Sequence, residues 1–326
     1  MIYIETGSAD VYENFAVEYY FASQKILDET VFLFWRTTPT LMVGKYQNVA
    51  EEINLPYAKK QGIVISRRFS GGGTIYTDLG GWQFSFIKQK SAREIEFHEY
   101  IAPVIDALKS LGVPACFNGR NDLTIEGKKF SGNAQYRLGD SVIHHGSLLF
   151  STDIEQMVAS TTVDDYKIIS KSIKSVRDRV TNISDHLKEH IAPEDFKKLM
   201  VGRIMRGRDK TYELTENDRA EIKRIRDEKV ASWDYIYGRN PKFNIERTGR
   251  FAGGKIQFKL DVKKGLIDSA AVFGDFFSTL SEKEICDALS GCRYDRESVV
   301  KRLKERDIDG RIYNISAEEI AALIAD

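Results

Sequence analysis

Two short segments concentrate the residue types that handle phosphates and carboxylates. The first is Arg67-Arg68-Phe69-Ser70-Gly71-Gly72-Gly73-Thr74-Ile75-Tyr76-Thr77-Asp78. A strand there delivers two arginines into a turn without side chains. Backbone N–H groups can then approach an anion closely while a guanidinium binds it bidentately. The plain alternative is a flexible glycine turn between strands. The run is not a Walker loop, because no Gly-Lys-Ser/Thr follows, nor is it a Gly-x-Gly-x-x-Gly opening a helix. Alone it signifies an anion or a close backbone approach.

The second segment runs from Asn118-Gly119-Arg120-Asn121-Asp122 through Gly127-Lys128-Lys129 to Gly132-Asn133. Asp122 at a strand start suits Mg²⁺, which takes one or two carboxylates together with phosphate oxygens. Lys128 and Lys129 point to opposite faces of a strand, so only one can face a site. Without other information the lysines read as a solvated hairpin turn. The adjacent pair His144-His145 invites a metal assignment, but neighbours on a strand face opposite ways; His145 lining a pocket is the better reading. Cys116 follows a Gly-Val-Pro turn without a nearby histidine partner, and reads as a small buried side chain rather than a nucleophile.

The elements that must hold these residues follow from periodicity. A helix begins near Val11 with Phe15, Ala16, Tyr19 and Tyr20 on one face. Strands are expected at 31–36, 41–44, 64–68 and 82–87, the last alternating Trp82, Phe84 and Phe86 against Gln83 and Ser85. A helix from about 96 to 111 should be kinked or capped at Pro103 and stopped by Gly112. Strand character returns at 123–125, 128–132 and 142–150, with Glu126-Gly127 as a hairpin turn. Residues 161–182 form a polar, basic, weakly periodic loop. Helices are expected at 193–205 and 216–233, then strands around 256–262 and 266–277. Two closing helices open on the capping boxes Ser281/Glu284 and Ser316/Glu319. The chain therefore divides into residues 1–244 and a small α+β unit, 245–326.

The 48 basic residues balance 48 acidic ones, so overall charge points to neither nucleic acid nor membrane surface. No apolar run approaches the roughly 18 residues of a membrane span. The start, Met1 to Glu5, reads as a strand rather than a signal peptide. Three scattered cysteines give no disulfide framework or zinc pattern. These features place a soluble protein, a monomer by default, in the cytoplasm.

Taken in order, Arg67–Tyr76, Gly119–Leu123, Lys129–Ala134, His144-His145-Gly146 and Ser175–Asn182 resemble the successive signatures of lipoate–protein ligases. The likeness extends from Asn14–Glu18 and Gly44–Asn48 to the C-terminal Phe273–Phe277 and Gly291–Tyr294. It covers nearly the whole chain. It implies an α+β fold: a mixed-sheet catalytic domain like that of biotin and lipoate ligases, plus a small accessory domain. It further implies activation of free lipoate by ATP with Mg²⁺ to lipoyl-AMP, and transfer to a lysine of an acceptor. The acceptors would be lipoyl domains of oxoacid dehydrogenase acyltransferase subunits and the glycine-cleavage H protein.

By the same likeness Lys129 is the catalytic lysine between acyl carboxylate and α-phosphate. Arg68, Gly73, Thr74, Ile75, Tyr76, Asn121, Asp122, Lys174 and Arg177 would join it in binding nucleotide, with Asp122 on the metal. Trp35, Arg68, Gly73, Lys129 and His145 would bind the acid. The basic segment Lys171–Arg179 would close over the adenylate, although Ser172 stands where the family commonly has glycine. Two other readings remain: an ATP-independent octanoyl or lipoyl acyltransferase on the same fold, and a binding module without catalysis. Arg68, Asp122 and the basic loop are needless if no phosphate is handled.

Overall fold

The structure, a computed structural model, describes residues 1–47, 49–89, 96–161, 176–207, 210–237, 245–263 and 265–325. Its centre is a seven-stranded mixed sheet built from β1 (Ile2–Ile4), β2 (Val31–Trp35), β6 (Gly81–Lys88), β7 (Ala115–Phe117), β8 (Asp122–Ile125), β9 (Lys128–Leu138) and β10 (Ser141–Leu149). The spatial order is β1-β2-β6-β10-β9-β8-β7, with β1 and β2 parallel and the remaining pairs antiparallel. A second sheet, order β4-β3-β5, consists of β3 (Thr40–Val43), β4 (Val64–Arg67) and β5 (Ile75–Thr77). Pro39 therefore does not close a simple hairpin: β2 and β3 belong to different sheets.

Every side chain of β2 is buried, because both faces of the large sheet are covered. Phe32 and Phe34 join Trp82, Phe84 and Phe86 under the helices His98–Ser110 and Pro193–Met205. Val31, Leu33 and Trp35 face the opposite way, under helix Val11–Ser23. Asp10 caps that helix, its carboxylate accepting from the Tyr12 amide. Helix His98–Ser110 runs through Pro103. Ile101, Val104 and Leu108 bury one face at about 1.5–3 kcal/mol each, enough to offset the missing amide. Gly112, at φ +83°, ends the turn beyond it.

The expected helix over 216–233 is broken. An α-helix, Glu216–Ile225, passes into a π-turn at Arg226–Val230, and a short helix follows at Trp233–Ile236.

Beyond the undescribed residues 238–244, β11 (Ile245–Phe251), β12 (Gly254–Lys263) and β13 (Leu266–Gly274) form an antiparallel meander. Three helices pack on it, not two: Glu282–Leu289, Arg296–Glu305 and Ala317–Ala325. The middle one is capped by Asp295 rather than by a Ser-x-x-Glu box. Their core takes in Tyr46 from the N-terminal part, which stacks on Phe276 at 4.2 Å. Among the described residues no helix is long and apolar enough to cross a membrane.

Candidate active site

A type I′-like turn sets the phase of the strand that matters most. Glu126 and Gly127 both have positive φ, +50° and +80°, and join β8 to β9 as a two-residue hairpin. Lys128 is thereby exposed, lying in a surface hollow with Arg177 and Asp153. Lys129 turns the other way, into a cleft between the large sheet and the glycine turn. Its ammonium lies 2.7 Å from Asp122 Oδ1. The contact is a pairing of charges rather than an aligned hydrogen bond, and Oδ1 is shielded from solvent. Gly132 makes room for the lysine, since a Cβ there would lie 3.2 Å from Nζ. The backbone of Lys129 pairs in parallel with Val180, through Lys129 N–H to Arg179 O and Thr181 N–H to Lys129 O. The described end of the basic loop is thus docked beside the lysine.

Opposite stands the glycine turn. The Arg68 side chain, 5% exposed, donates to the carbonyls of Met42, Gly71 and Gly73. Burial, reinforced by the charge of Arg67, pushes its guanidinium down to about 10, so it stays charged at neutral pH. The arginine thereby braces the turn and reaches the cleft from behind it. Gly72 adopts φ +92° and gives its N–H to Phe276 O at 3.0 Å. Gly71 must be glycine, because a Cβ would fall 1.8 Å from that same carbonyl oxygen. Gly73 leaves its backbone open: the nearest atom to a built Cβ is 3.9 Å away.

Phe15, Trp35, Met42, Ile75, Ala134 and Phe277 give the cleft its apolar lining. His145 lines it too. Its Nδ1 sits 3.2 Å from both oxygens of the fully buried Glu18, which also accepts from Ser85 Oγ at 2.6 Å and Tyr136 hydroxyl at 2.9 Å. Burial and the Glu18 charge hold the Tyr136 hydroxyl well above its usual range, so it remains a donor. His144 faces the opposite side, stacked on Tyr100 at 5.0 Å. Counting the open solvent at its mouth, the space in the cleft is about 610 Å³.

Of the residues singled out in the sequence, Trp35, Arg68, Gly73, Thr74, Ile75, Asn121, Lys129 and His145 line this one cleft, with Asp122 against Lys129. Tyr76 does not. Its ring packs with Leu41, Val43 and Ala58, and its hydroxyl bonds Gln156, because alternation along β5 turns it away from Ile75. Arg177 is exposed and paired with Glu155, outside the cleft. Lys174 and residues 162–175 of the basic loop lie outside the described residues.

Cys116 corrects the sequence reading. It is exposed, because Ala115 and Phe117 take the inward positions of edge strand β7. Among the described residues no cysteine lines the cleft, and no three His, Cys, Asp or Glu gather as a metal ligand set.

Sequence reasoning missed Phe15, Met42, Gln83, Gly132, Asn133, Ala134, Gly146, Ser147 and Phe277 as walls. Gln83 carried a signal, being a polar residue in an otherwise buried strand. Phe277 carried none, since it arrives from the C-terminal unit.

Comparison with known proteins gives a consistent picture. Residues 10–204 match the family model of the lipoyl protein ligase A/B catalytic domain. Residues 240–324 match that of the bacterial lipoate protein ligase C-terminus. The chain is 38% identical to lipoate-protein ligase LplJ of Bacillus subtilis, over 95% of this chain and 96% of that one. It is 37% identical to lipoate–protein ligase 1 of Staphylococcus aureus, over 96% of each. In fold it resembles P. falciparum LipL1 in complex with lipoate, with a TM-score of 0.77 and 22% identity over 96% of this chain and 95% of that one. It also resembles a lipoate-protein ligase A bound with ATP, with a TM-score of 0.60 and 22% identity over 73% of this chain and 97% of that one.

Proposed function

Since the chain belongs to the lipoyl protein ligase A/B family and carries the C-terminal domain of its bacterial members, we infer that it is an ATP-dependent lipoate–protein ligase. It joins lipoate to AMP with release of pyrophosphate, then passes the lipoyl group to the ε-amine of an acceptor lysine. Residues 1–244 form the catalytic domain and 245–326 the accessory one. The acceptors are lipoyl domains of oxoacid dehydrogenases and the glycine-cleavage H protein.

The single observation that carries this reading is the position of Lys129. It stands where an apolar pocket meets a glycine turn, paired with the Asp122 carboxylate. A carboxylate approaching an α-phosphate to about 4 Å meets roughly 4 kcal/mol of repulsion at an effective dielectric of 20. An ammonium between them turns that repulsion into attraction, and stabilises charge developing in the transition state. Phe15, Trp35, Met42 and His145 would hold the aliphatic tail and dithiolane. Gly73, with its open backbone, would let the phosphates approach, and Thr74, Ile75 and Asn121 would line their path.

Asp122 suits Mg²⁺, a metal held by one or two carboxylates together with phosphate oxygens, and would share its carboxylate between the metal and Lys129. Bound there, Mg²⁺ would neutralise phosphate charge. Lys174 belongs to the same proposed set. Arg177 would need to leave Glu155 to join it; the pair is exposed and therefore weak.

Lipoate-dependent exchange of pyrophosphate into ATP is the test. Exchange is expected; its absence, with acyl transfer between carrier proteins intact, would establish the ATP-independent acyltransferase instead.

A further inference from the structure

The hydrogen bonds behind His145 continue past the acyl pocket. Its Nε2 lies 2.6 Å from Ser70 Oγ, while Nδ1 faces Glu18. The order serine, histidine, carboxylate is that of an activated nucleophile. Here it is not one: Ser70 is fully buried and does not line the cleft, so no reacting atom reaches it. The chain of contacts instead joins two functional parts. We propose that Glu18, His145 and Ser70 form a positioning relay that couples filling of the acyl pocket to the geometry of the glycine turn, so that each ligand tightens the other. This rests on the reading that the cleft takes both acid and nucleotide.

The proton positions follow from chemistry. An ionised carboxylate only accepts, so Nδ1 carries the hydrogen, Nε2 of the neutral ring accepts, and the Ser70 hydroxyl donates to it. Glu18 cannot swing, because Ser85 on β6 and Tyr136 on β9 also donate to it. His145, 7% exposed, lines the cleft, where the acid would press on it. At the other end Ser70 is the residue immediately before Gly71. Gly71, Gly72 and Gly73 have no side chains with which to be held. Arg68 ties the turn to itself and to Met42 in the small sheet. Ser70 to His145 is a side-chain hydrogen bond between the start of this turn and the large sheet, beside the stacking of Phe69 on Tyr136. A change of His145 tilt on filling the pocket is therefore felt at Gly71–Gly73, and by linkage the converse holds.

A single neutral hydrogen bond supports coupling of about three- to ten-fold. Titration calorimetry on the full chain would measure binding of the α,β-methylene analogue of ATP with Mg²⁺, with and without saturating lipoate. Wild type should bind the analogue about three- to ten-fold more tightly with lipoate present. Ser70→Ala should reduce that ratio to near one, while remaining folded by thermal melt. A merely loosened turn would weaken nucleotide equally in both conditions and keep the ratio, which would overturn the relay. So would a wild-type ratio of one. Glu18→Gln, which sets an N–H against groups that donate, should collapse the ratio too, and serves if Ser70→Ala does not fold. Failure of wild type to bind either ligand would bring down the functional reading together with the relay.

Discussion

Replacement of Lys129 by alanine separates chemistry from folding at this site. The Lys129 and Asp122 side chains are 41% and 24% exposed, so their 2.7 Å ion pair contributes no more than about 1 kcal/mol to stability. The melting temperature should therefore move by only a few degrees. The chemical cost is larger. Removing a transition-state donor costs about 2.7–4 kcal/mol, or roughly 10²–10³ in kcat, which matches the roughly 4 kcal/mol of repulsion left unscreened. Lys128→Ala, on the exposed face, should stay within about 0.5 kcal/mol of wild type in every assay. Pyrophosphate exchange reports adenylation, and single-turnover reaction with presynthesised lipoyl-adenylate reports transfer. Both should slow in Lys129→Ala, since the same ammonium would hold the carbonyl and the leaving phosphate. The reasoning is refuted if Lys128→Ala is the worse variant, for then the phase imposed by the Glu126-Gly127 turn is not the catalytic one. It is also refuted if Lys129→Ala adenylates normally.

Arg68→Lys should weaken ATP more than lipoate and lower stability by about 2 kcal/mol, seen in a denaturant melt. An ammonium cannot reproduce the planar fork that reaches Met42, Gly71 and Gly73, and unpaired buried carbonyls remain. Equal loss of both ligands would count against a nucleotide-side role. Cys116→Ser should leave ligation within about two-fold, a surface change of under 0.5 kcal/mol; an acyl thioester trapped on Cys116 would point to the acyltransferase. Burial holds the His144 imidazole well below its ordinary 6.5. The unfolded chain takes up a proton as pH falls through 6.5 while the folded one does not, so stability present above that pH is lost below it. The slope is at most about 1.4 kcal/mol per pH unit. His144→Phe, which fits the stack on Tyr100, should flatten the fall in melting temperature between pH 7 and 5; an unchanged slope would assign the acid sensitivity elsewhere.

Local sequence determined a good deal. Glu126-Gly127 set which lysine faces the cleft, alternation placed Trp82, Phe84 and Phe86 in the core, and adjacency put His144 and His145 on opposite faces. These succeed because a two-residue turn and a period of two are properties of the chain itself. Periodicity also separates Ile75 from Tyr76, yet does not tell which of them meets the cleft; that depended on how the small sheet packs against the large one. Cys116 was misread for the same reason, since burial of an edge-strand face is a property of its neighbours. Tertiary structure alone brought Phe277 from the C-terminal unit onto the glycine turn, across roughly 200 residues of sequence. It alone placed Glu18, on the first helix, behind His145. Both are contacts between elements whose own patterns are satisfied without them, and only packing decides which satisfied faces come together.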